Sequence, residues 1–156
     1  MARRRRTLRI GSLLLTVIVL AVSAAYVLTQ PPAPSGGCRG TARCFTATVT
    51  DLVDGDTLDV GGDRIRLALV NTPEVGEPGY QAAKDFTAGV CPVGSQARVD
   101  EDDGQTGGSY GRIVGVVSCG GRNLNAELVS AGHAVILTEF CAVSEFAADP
   151  WASACR

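Results

Sequence analysis

The stretch IRLALVNTPEV, residues 65 to 75, places an arginine inside a run of apolar residues. In an extended chain alternate residues occupy opposite faces, so Arg66 lies on a face that is otherwise apolar. A guanidinium that leaves water needs hydrogen bonds and a counter-charge, because arginine does not deprotonate in proteins. The run therefore predicts a strand, ended by Thr72-Pro73, in which Arg66 meets either a carboxylate of this protein or an anionic ligand.

Two further strands are predicted before this run. CFTATVTDLV, residues 44 to 53, alternates apolar and polar side chains as a half-buried strand does. The turn Asp54-Gly55-Asp56 leads into a second strand, TLDV, at residues 57 to 60, and Gly61-Gly62-Asp63 predicts a hairpin into the third strand, residues 64 to 70. Backbone requirements alone explain the aspartate turn, although its carboxylates also suit a hard cation.

The second half of the chain predicts two helices and two more strands. Residues 77 to 90 have a helical period, and residues 123 to 132 predict a second helix with Asn123 as its cap. QARVD, residues 96 to 100, and RIVGVVSC, residues 112 to 119, predict strands on either side of a glycine-rich loop. The acidic run at residues 100 to 103 is expected to be a solvated loop.

This order of elements predicts an α+β, mainly β fold. We expect a five-stranded barrel of the oligonucleotide-binding (OB) type with two to three helices, preceded by an N-terminal hydrophobic export or anchor helix. In that barrel the ligand lies over the second and third strands and the loops joining strands one to two and four to five. Those loops carry Asp54, Asp56 and Tyr110, and Arg66 and Glu74 flank the third strand.

The N-terminal segment differs from the rest of the chain. MARRRRTLRI is basic, and no charged residue occurs from Ile10 to Gln30. Residues 1 to 28 are therefore expected to be a signal peptide or a signal-anchor helix that holds the protein to the membrane through residues 10 to 28 if it stays uncleaved. Residues 29 to 43 predict a Pro/Gly-rich linker, and residues 44 to 156 the folded domain. We expect an exported protein, either anchored at the outer face of the cytoplasmic membrane or secreted.

Six cysteines follow the hydrophobic segment, and an even number in an exported domain predicts up to three disulfides. Six cysteines allow 15 pairings. Proximity in sequence favours these three pairs: Cys38 with Cys44, Cys141 with Cys155, and Cys91 with Cys119. Zinc is the rival interpretation, which the absence of a CxxC pair and the single histidine, His133, disfavour.

The charge of the chain is unevenly distributed. Five of its 14 basic residues lie in the first ten positions, which leaves nine basic and 16 acidic residues, a formal charge of −7, for the remainder. Net charge therefore does not attract a polyanion such as DNA to this domain, unless cations are concentrated at one site or a metal ion takes part.

Four motifs in order give the chain a family resemblance. DLVDGDTLDV, IRLALVNTPEV, SYGR and NLNAELVSAG together resemble the staphylococcal nuclease family over roughly residues 45 to 140. The resemblance implies a monomeric, calcium-dependent phosphodiesterase that cleaves DNA and RNA and leaves 3′-phosphates. It also leaves an alternative open, a non-catalytic OB-fold module that binds a ligand, as some relatives without catalytic residues do.

The resemblance assigns roles residue by residue. Arg66 and Arg112 would hold the phosphate, and Glu74 would orient or deprotonate the attacking water. The calcium ligands would be the Asp56 carboxylate and the Thr72 backbone carbonyl. Asp54 would support these ligands without binding the ion itself.

Tyr110 would contact the phosphate end of the substrate. The chain departs from the family pattern at Asn71, a position of the metal site where an aspartate is usual, so one calcium carboxylate is replaced by a neutral amide oxygen. Ser109 and Thr138 stand where a lysine and a tyrosine are common. These differences predict weaker binding of the calcium ion and modest affinity for long polyanions.

Overall fold

A computed structural model describes residues 37 to 156. The predicted signal or anchor helix and the first part of the linker lie outside the described residues. Within the described part, no helix combines the length and the apolar character needed to cross a bilayer.

The described residues contain eight strands, two α-helices and short 3-10 turns, which together give a mainly β fold. The strands are β1 (Cys44–Leu52), β2 (Thr57–Val60), β3 (Asp63–Leu67), β4 (Val70–Asn71), β5 (Gln96–Glu101), β6 (Ile113–Cys119), β7 (Arg122–Asn123) and β8 (Val135–Ile136). The helices are α1 (Tyr80–Val90) and α2 (Leu124–Ser130), and the 3-10 turns are Asp103–Gln105, Thr138–Phe140, Glu145–Ala148 and Pro150–Cys155.

Five of these strands close into a barrel, which confirms the expected OB-type architecture. The order β3-β2-β1-β5-β6 is antiparallel throughout, and β3 then pairs with β6 in parallel, with Ile65 opposite Ile113. Buried aliphatic side chains fill the interior, among them Val49, Leu58 and Val117. The parallel pairing brings the start of β6, where Arg112 lies, beside Arg66 on β3.

The third strand is shorter than the sequence predicts. It ends at Leu67, and Ala68 and Leu69 form a buried turn in which Leu69 has φ 60°, a left-handed conformation that is rare for leucine. The next two residues, Val70–Asn71, pair with Val135–Ile136 as a separate ribbon. The prediction that alternate residues of one strand lie on opposite faces is therefore wrong beyond Leu67. The turn directs the backbone back towards Arg66.

The first helix starts three residues later than predicted. Residues 77 to 79 form a turn that ends at Gly79, with φ 94°, and the helix begins at Tyr80. On this helix Ala82 is exposed and Thr87 is buried. The Thr87 hydroxyl donates a 2.6 Å hydrogen bond to the carbonyl of Gly55, so α1 holds the aspartate turn in place.

The acidic run at residues 100 to 103 is not a solvated loop, and that expectation is wrong. Asp100, Glu101 and Asp102 are buried. Backbone N–H groups of the segment before β1 account for part of this: Arg39 donates to Asp100, and Arg43 donates to Glu101. The carboxylates thereby fasten the N-terminal segment of the domain to β5.

The three disulfides follow the pairing that sequence proximity favours. Cys38 is bonded to Cys44, Cys91 to Cys119, and Cys141 to Cys155. The bond between Cys91 and Cys119 is buried and joins the end of α1 to the end of β6. The second helix also agrees with its prediction, because the Asn123 side chain accepts from the N–H of Ala126 as an N-cap.

Candidate active site

The turn between β1 and β2 presents a buried carboxylate. The Asp54 side chain accepts a 3.0 Å hydrogen bond from the N–H of Asp56, which fixes the turn. A Cβ at Gly55 would lie only 2.7 Å from the Thr72 hydroxyl oxygen, so only glycine allows the turn to pack this closely. The Asp56 side chain therefore points inwards, where it is almost completely buried.

Asp56 is the partner that Arg66 needs. Asp56 Oδ1 lies 3.0 Å from Arg66 Nη1. Its Oδ2 accepts from the backbone N–H of Thr72 at 2.7 Å and from the Thr72 hydroxyl at 3.1 Å, and the Thr57 hydroxyl donates to Oδ1 at 3.3 Å. Three protein hydrogen-bond donors and the Arg66 charge thus surround a carboxylate that has about four lone-pair sites.

The N–H groups of Arg66 bind the turn that follows β3. Nη1 donates to the carbonyl of Val70 at 2.6 Å and to that of Leu67 at 3.3 Å, and Nη2 donates to Asn71 Oδ1 at 3.0 Å. The prediction that Arg66 is matched by a counter-charge is confirmed, and the match is an internal carboxylate.

A buried amide that the sequence did not single out supports this turn. Asn125, on α2, donates to the carbonyls of Ala68 and Gly115 and accepts from the N–H of Val117. It is fully buried. Its position at the start of a helix suggested only a polar residue near a cap, so no sequence signal pointed to this role.

The second arginine, Arg112, lines a cavity together with Arg66. Arg112 donates through Nε to the Ser109 carbonyl and through Nη2 to the Ser109 hydroxyl, both at 2.9 Å. Arg66 and Arg112 both line one cavity of about 170 Å³, whose apolar walls include Leu69, Val114 and Phe140. The serine that replaces the usual lysine therefore orients Arg112.

Glu74 and Tyr110 are exposed, in contrast to the ion pair of Asp56 and Arg66. Glu74 follows Thr72-Pro73, and its backbone N–H donates to Glu77 Oε2 at 2.8 Å. Its charge, like those of Asp54 and Arg112, acts on the pKa of Arg66, so these groups lie near one another. Tyr110 is 99% exposed, with φ 55°, at the tip of the glycine-rich loop. It does not pack at the barrel mouth, as a tyrosine there ordinarily would.

Burial controls the ionisation of the central pair. Burial raises the pKa of Asp56 to about 6, although the Arg66 charge and the Thr72 hydrogen bonds oppose the rise. Burial likewise lowers the pKa of Arg66 from its ordinary value, while Asp56 opposes that change. Ionising the Asp56 carboxylate is thus costly when no ligand is bound, and a further cation beside it would stabilise its charged form.

The raised pKa of Asp56 gives a pH-dependent contribution to stability. The folded protein binds the proton more tightly than the unfolded chain does, where the pKa is near the ordinary 3.8. The contribution is therefore fully present below that value and is lost as the pH rises through about 6. With a chelator present, we expect the free energy of unfolding of the wild type, minus that of Asp56→Asn, to fall between about pH 4 and pH 7. A difference that does not change over this range would contradict the burial of Asp56.

The donor atoms beside the pair have the chemistry of a hard-cation site. Asp56 supplies a carboxylate, Asn71 an amide oxygen and Thr72 a backbone carbonyl, and oxygen donors of this kind bind calcium. These donors fit a calcium ion but would bind it weakly. Only one of the three carries a formal charge, and both Asp56 oxygens already accept hydrogen bonds from the protein. Another metal-like grouping in the described chain is the Asp100 carboxylate with Cys38 and Cys44, whose sulfurs are joined in a disulfide.

The fold and these residues define a class: a closed OB-type barrel with two arginines and a buried carboxylate at its ligand face. The chain belongs to the family of staphylococcal nuclease homologues, whose family model matches residues 64–149. That region contains Arg66, Glu74 and Arg112, while the aspartate turn precedes it. The resemblance in the sequence motifs is thereby confirmed.

A curated relative extends the similarity beyond the matched family region. The chain is 28% identical over 141 residues to the succinoglycan biosynthesis protein ExoI of Rhizobium meliloti (strain 1021). The match covers 85% of this chain and 69% of that protein. The family supports a nuclease-like or nucleic-acid-binding function for the barrel.

Proposed function

We propose that this protein is an exported, calcium-dependent phosphodiesterase that hydrolyses DNA or RNA to 3′-phosphate products. The observation that carries the proposal is the cavity that Arg66 and Arg112 both line, together with the carboxylates of Asp56 and Glu74, which act on Arg66. Two guanidinium groups on one cavity are an arrangement suited to a tetrahedral anion, because each offers several N–H donors in a fixed plane.

The two arginines would act mainly on the transition state. Hydrolysis of a phosphodiester builds negative charge on the non-bridging oxygens, and donors already aimed at them gain interaction as that charge develops. Ser109 holds the Arg112 guanidinium by two hydrogen bonds, so little reorganisation is needed. Arg66 would exchange its contact to Asn71 for a phosphate oxygen and keep its contact to Asp56.

Glu74 would activate the attacking water. It is exposed and lies near Arg66, so its carboxylate can accept a proton from water beside a phosphate that the arginines hold. Calcium, when bound by Asp56, Asn71 and Thr72, would supply positive charge to the phosphate oxygens. Tyr110 would contact the phosphate end of the substrate from the loop tip.

The cellular setting is part of the same proposal. The uncharged stretch from Ile10 to Gln30 supports export, and the three disulfides support an oxidising compartment. We place the protein at the outer membrane surface, anchored through residues 10 to 28, or in the medium after cleavage, as a monomer.

A non-catalytic OB-fold binding module is the second candidate. Asn71 stands where the family usually has a metal-binding carboxylate, and both Asp56 oxygens already accept hydrogen bonds from the protein. Both features weaken the case for a bound ion. The retention of Arg66, Glu74 and Arg112 together favours the enzyme.

Digestion of single-stranded DNA by the full-length chain in mild detergent separates the two candidates. The enzyme requires cleavage that appears with millimolar calcium, disappears with chelator and leaves 3′-phosphate ends. DNA that binds but stays intact across that calcium range would favour the binding module.

Restoring the carboxylate at the metal site should strengthen calcium binding. We expect Asn71→Asp to lower the calcium dissociation constant by about tenfold or more, because the ligand charge rises. Titration calorimetry measures this directly, with Asn71→Ala as the matched variant that removes the oxygen. Equal calcium affinities for all three proteins would exclude position 71 from the metal site.

A further inference from the structure

Most of the described arginines outside the candidate site form ion pairs with carboxylates. Within residues 37–156, four of the nine basic residues form surface ion pairs with N···O distances of 2.6 to 2.8 Å. The pairs are Arg39 with Asp149, Arg43 with Asp63, Arg64 with Asp59, and Arg122 with Glu127. In the last three, two nitrogens of the arginine donate to the carboxylate.

A paired guanidinium does not readily hold a phosphate as well. Its parallel N–H groups already donate to carboxylate oxygens, so a phosphate would first have to displace that carboxylate. Outside the site and these pairs, three basic residues remain in the described part: Lys84 on α1, Arg98 on β5 and Arg156 at the C-terminus. Lys84 itself donates to the carbonyl of Val53 at 3.0 Å. The surface formed by residues 37–156 therefore lacks a continuous row of cations for a polyanion.

The charge of the site itself matches a single phosphodiester. Three carboxylates (Asp54, Asp56 and Glu74) and one other arginine (Arg112) act on Arg66, which gives these five groups a formal charge of −1. A divalent ion would change this to +1. That charge balances one phosphodiester and leaves no surplus for neighbouring phosphates.

The cavity provides apolar contact in place of charge. Its volume of about 170 Å³ and its walls at Leu69, Val114 and Phe140 suit one small organic group attached to the phosphate. We therefore infer that the substrate of this site is a short phosphodiester, of dinucleotide size or smaller, in preference to a long nucleic acid. This inference rests on the proposed function and narrows its substrate class.

Salt dependence of binding tests the inference without requiring catalysis. Each phosphate neutralised on a single strand contributes a slope of about −0.7 to log K against log salt, so one phosphate held by both arginines gives about −0.7. The dissociation constants of a phosphorothioate dinucleotide and of an oligonucleotide of about 20 phosphorothioate nucleotides are measured between about 50 and 200 mM salt, with calcium. We expect slopes near −0.7 or shallower for both ligands and, per phosphodiester, affinities within about threefold of each other.

A slope of about −3 or steeper for the longer strand would overturn the inference, whether or not the enzyme cleaves DNA. Binding of the dinucleotide with a shallow slope but no hydrolysis of an unmodified dinucleotide would sustain the inference and refute the proposed function. A dinucleotide that does not bind at millimolar concentration would overturn the inference, whereas the digestion of single-stranded DNA decides the proposed function.

A pair of variants tests the part played by the ion pairs. Asp59→Asn releases Arg64, which lies two residues from Arg66 on β3 and near Asp54, and we expect it to steepen the slope for the longer strand by about 0.7. Glu127→Gln releases Arg122, on β7, as the matched control, and should leave the slope unchanged. An unchanged slope in Asp59→Asn would contradict the role assigned to the ion pairs.

Discussion

Arg66→Ala is expected to lower kcat/KM for a phosphodiester by about 10²–10³-fold, because it removes a donor aimed at the developing charge. It should also lower the free energy of unfolding by about 3–5 kcal/mol. The second effect arises because Asp56 is left buried without its counter-charge. Denaturant unfolding and steady-state kinetics on the same preparation measure both effects.

Two variants separate the chemical loss from the structural one. Arg66→Ala combined with Asp56→Asn removes the buried charge, so we expect stability to recover while activity stays low. Arg64→Ala, two residues earlier on β3, breaks an exposed pair and should change stability by about 1 kcal/mol or less and leave kcat intact. Arg66→Ala that keeps more than about a tenth of the activity would remove Arg66 from the phosphate site.

Glu74→Gln is expected to reduce kcat by about 10²–10⁴-fold, the usual contribution of a general base. The change is nearly isosteric and the side chain is exposed, so the free energy of unfolding should stay within about 0.5 kcal/mol of the wild type. The two variants should differ in their effect on stability because Glu74 is exposed, whereas the Arg66 side chain is largely buried.

Asp85→Asn supplies the control for Glu74→Gln. Asp85 is an exposed carboxylate on α1 that accepts from Gln81, and its replacement removes the same charge without a role in the chemistry. Equal losses of activity in the two variants would mean that net charge, and not a base at Glu74, controls the rate. A shift of the pH–rate profile in Glu74→Gln alone would support the base.

Much of the barrel could be predicted from local patterns. Alternation in residues 44 to 53 and the glycine turns predicted the strands, and the order of elements predicted a five-stranded barrel, which the pairing of β3 with β6 closes. The need of Arg66 for a counter-charge also followed from the sequence, because an arginine within an apolar run has few other solutions.

The errors arose where distant residues determine the backbone. An apolar run such as Ala68-Leu69 gives no local sign of a left-handed turn, and Asn125, more than 50 positions away, donates to the carbonyl within it. The acidic run was misjudged for the same reason, since its partners at Arg39 and Arg43 lie about 60 positions earlier. Spacing along the chain does not reveal such contacts.

The central claim is that Arg66 and Arg112 hold one phosphate beside Glu74. A crystal structure of the full-length protein with calcium and a phosphorothioate dinucleotide tests it most directly. We expect both guanidinium groups to lie within about 3 Å of non-bridging oxygens of the same phosphate, with Glu74 facing the phosphorus. A phosphate bound on another face, with neither guanidinium in contact with it and Arg66 still donating to Asn71 as in the free protein, would contradict this arrangement.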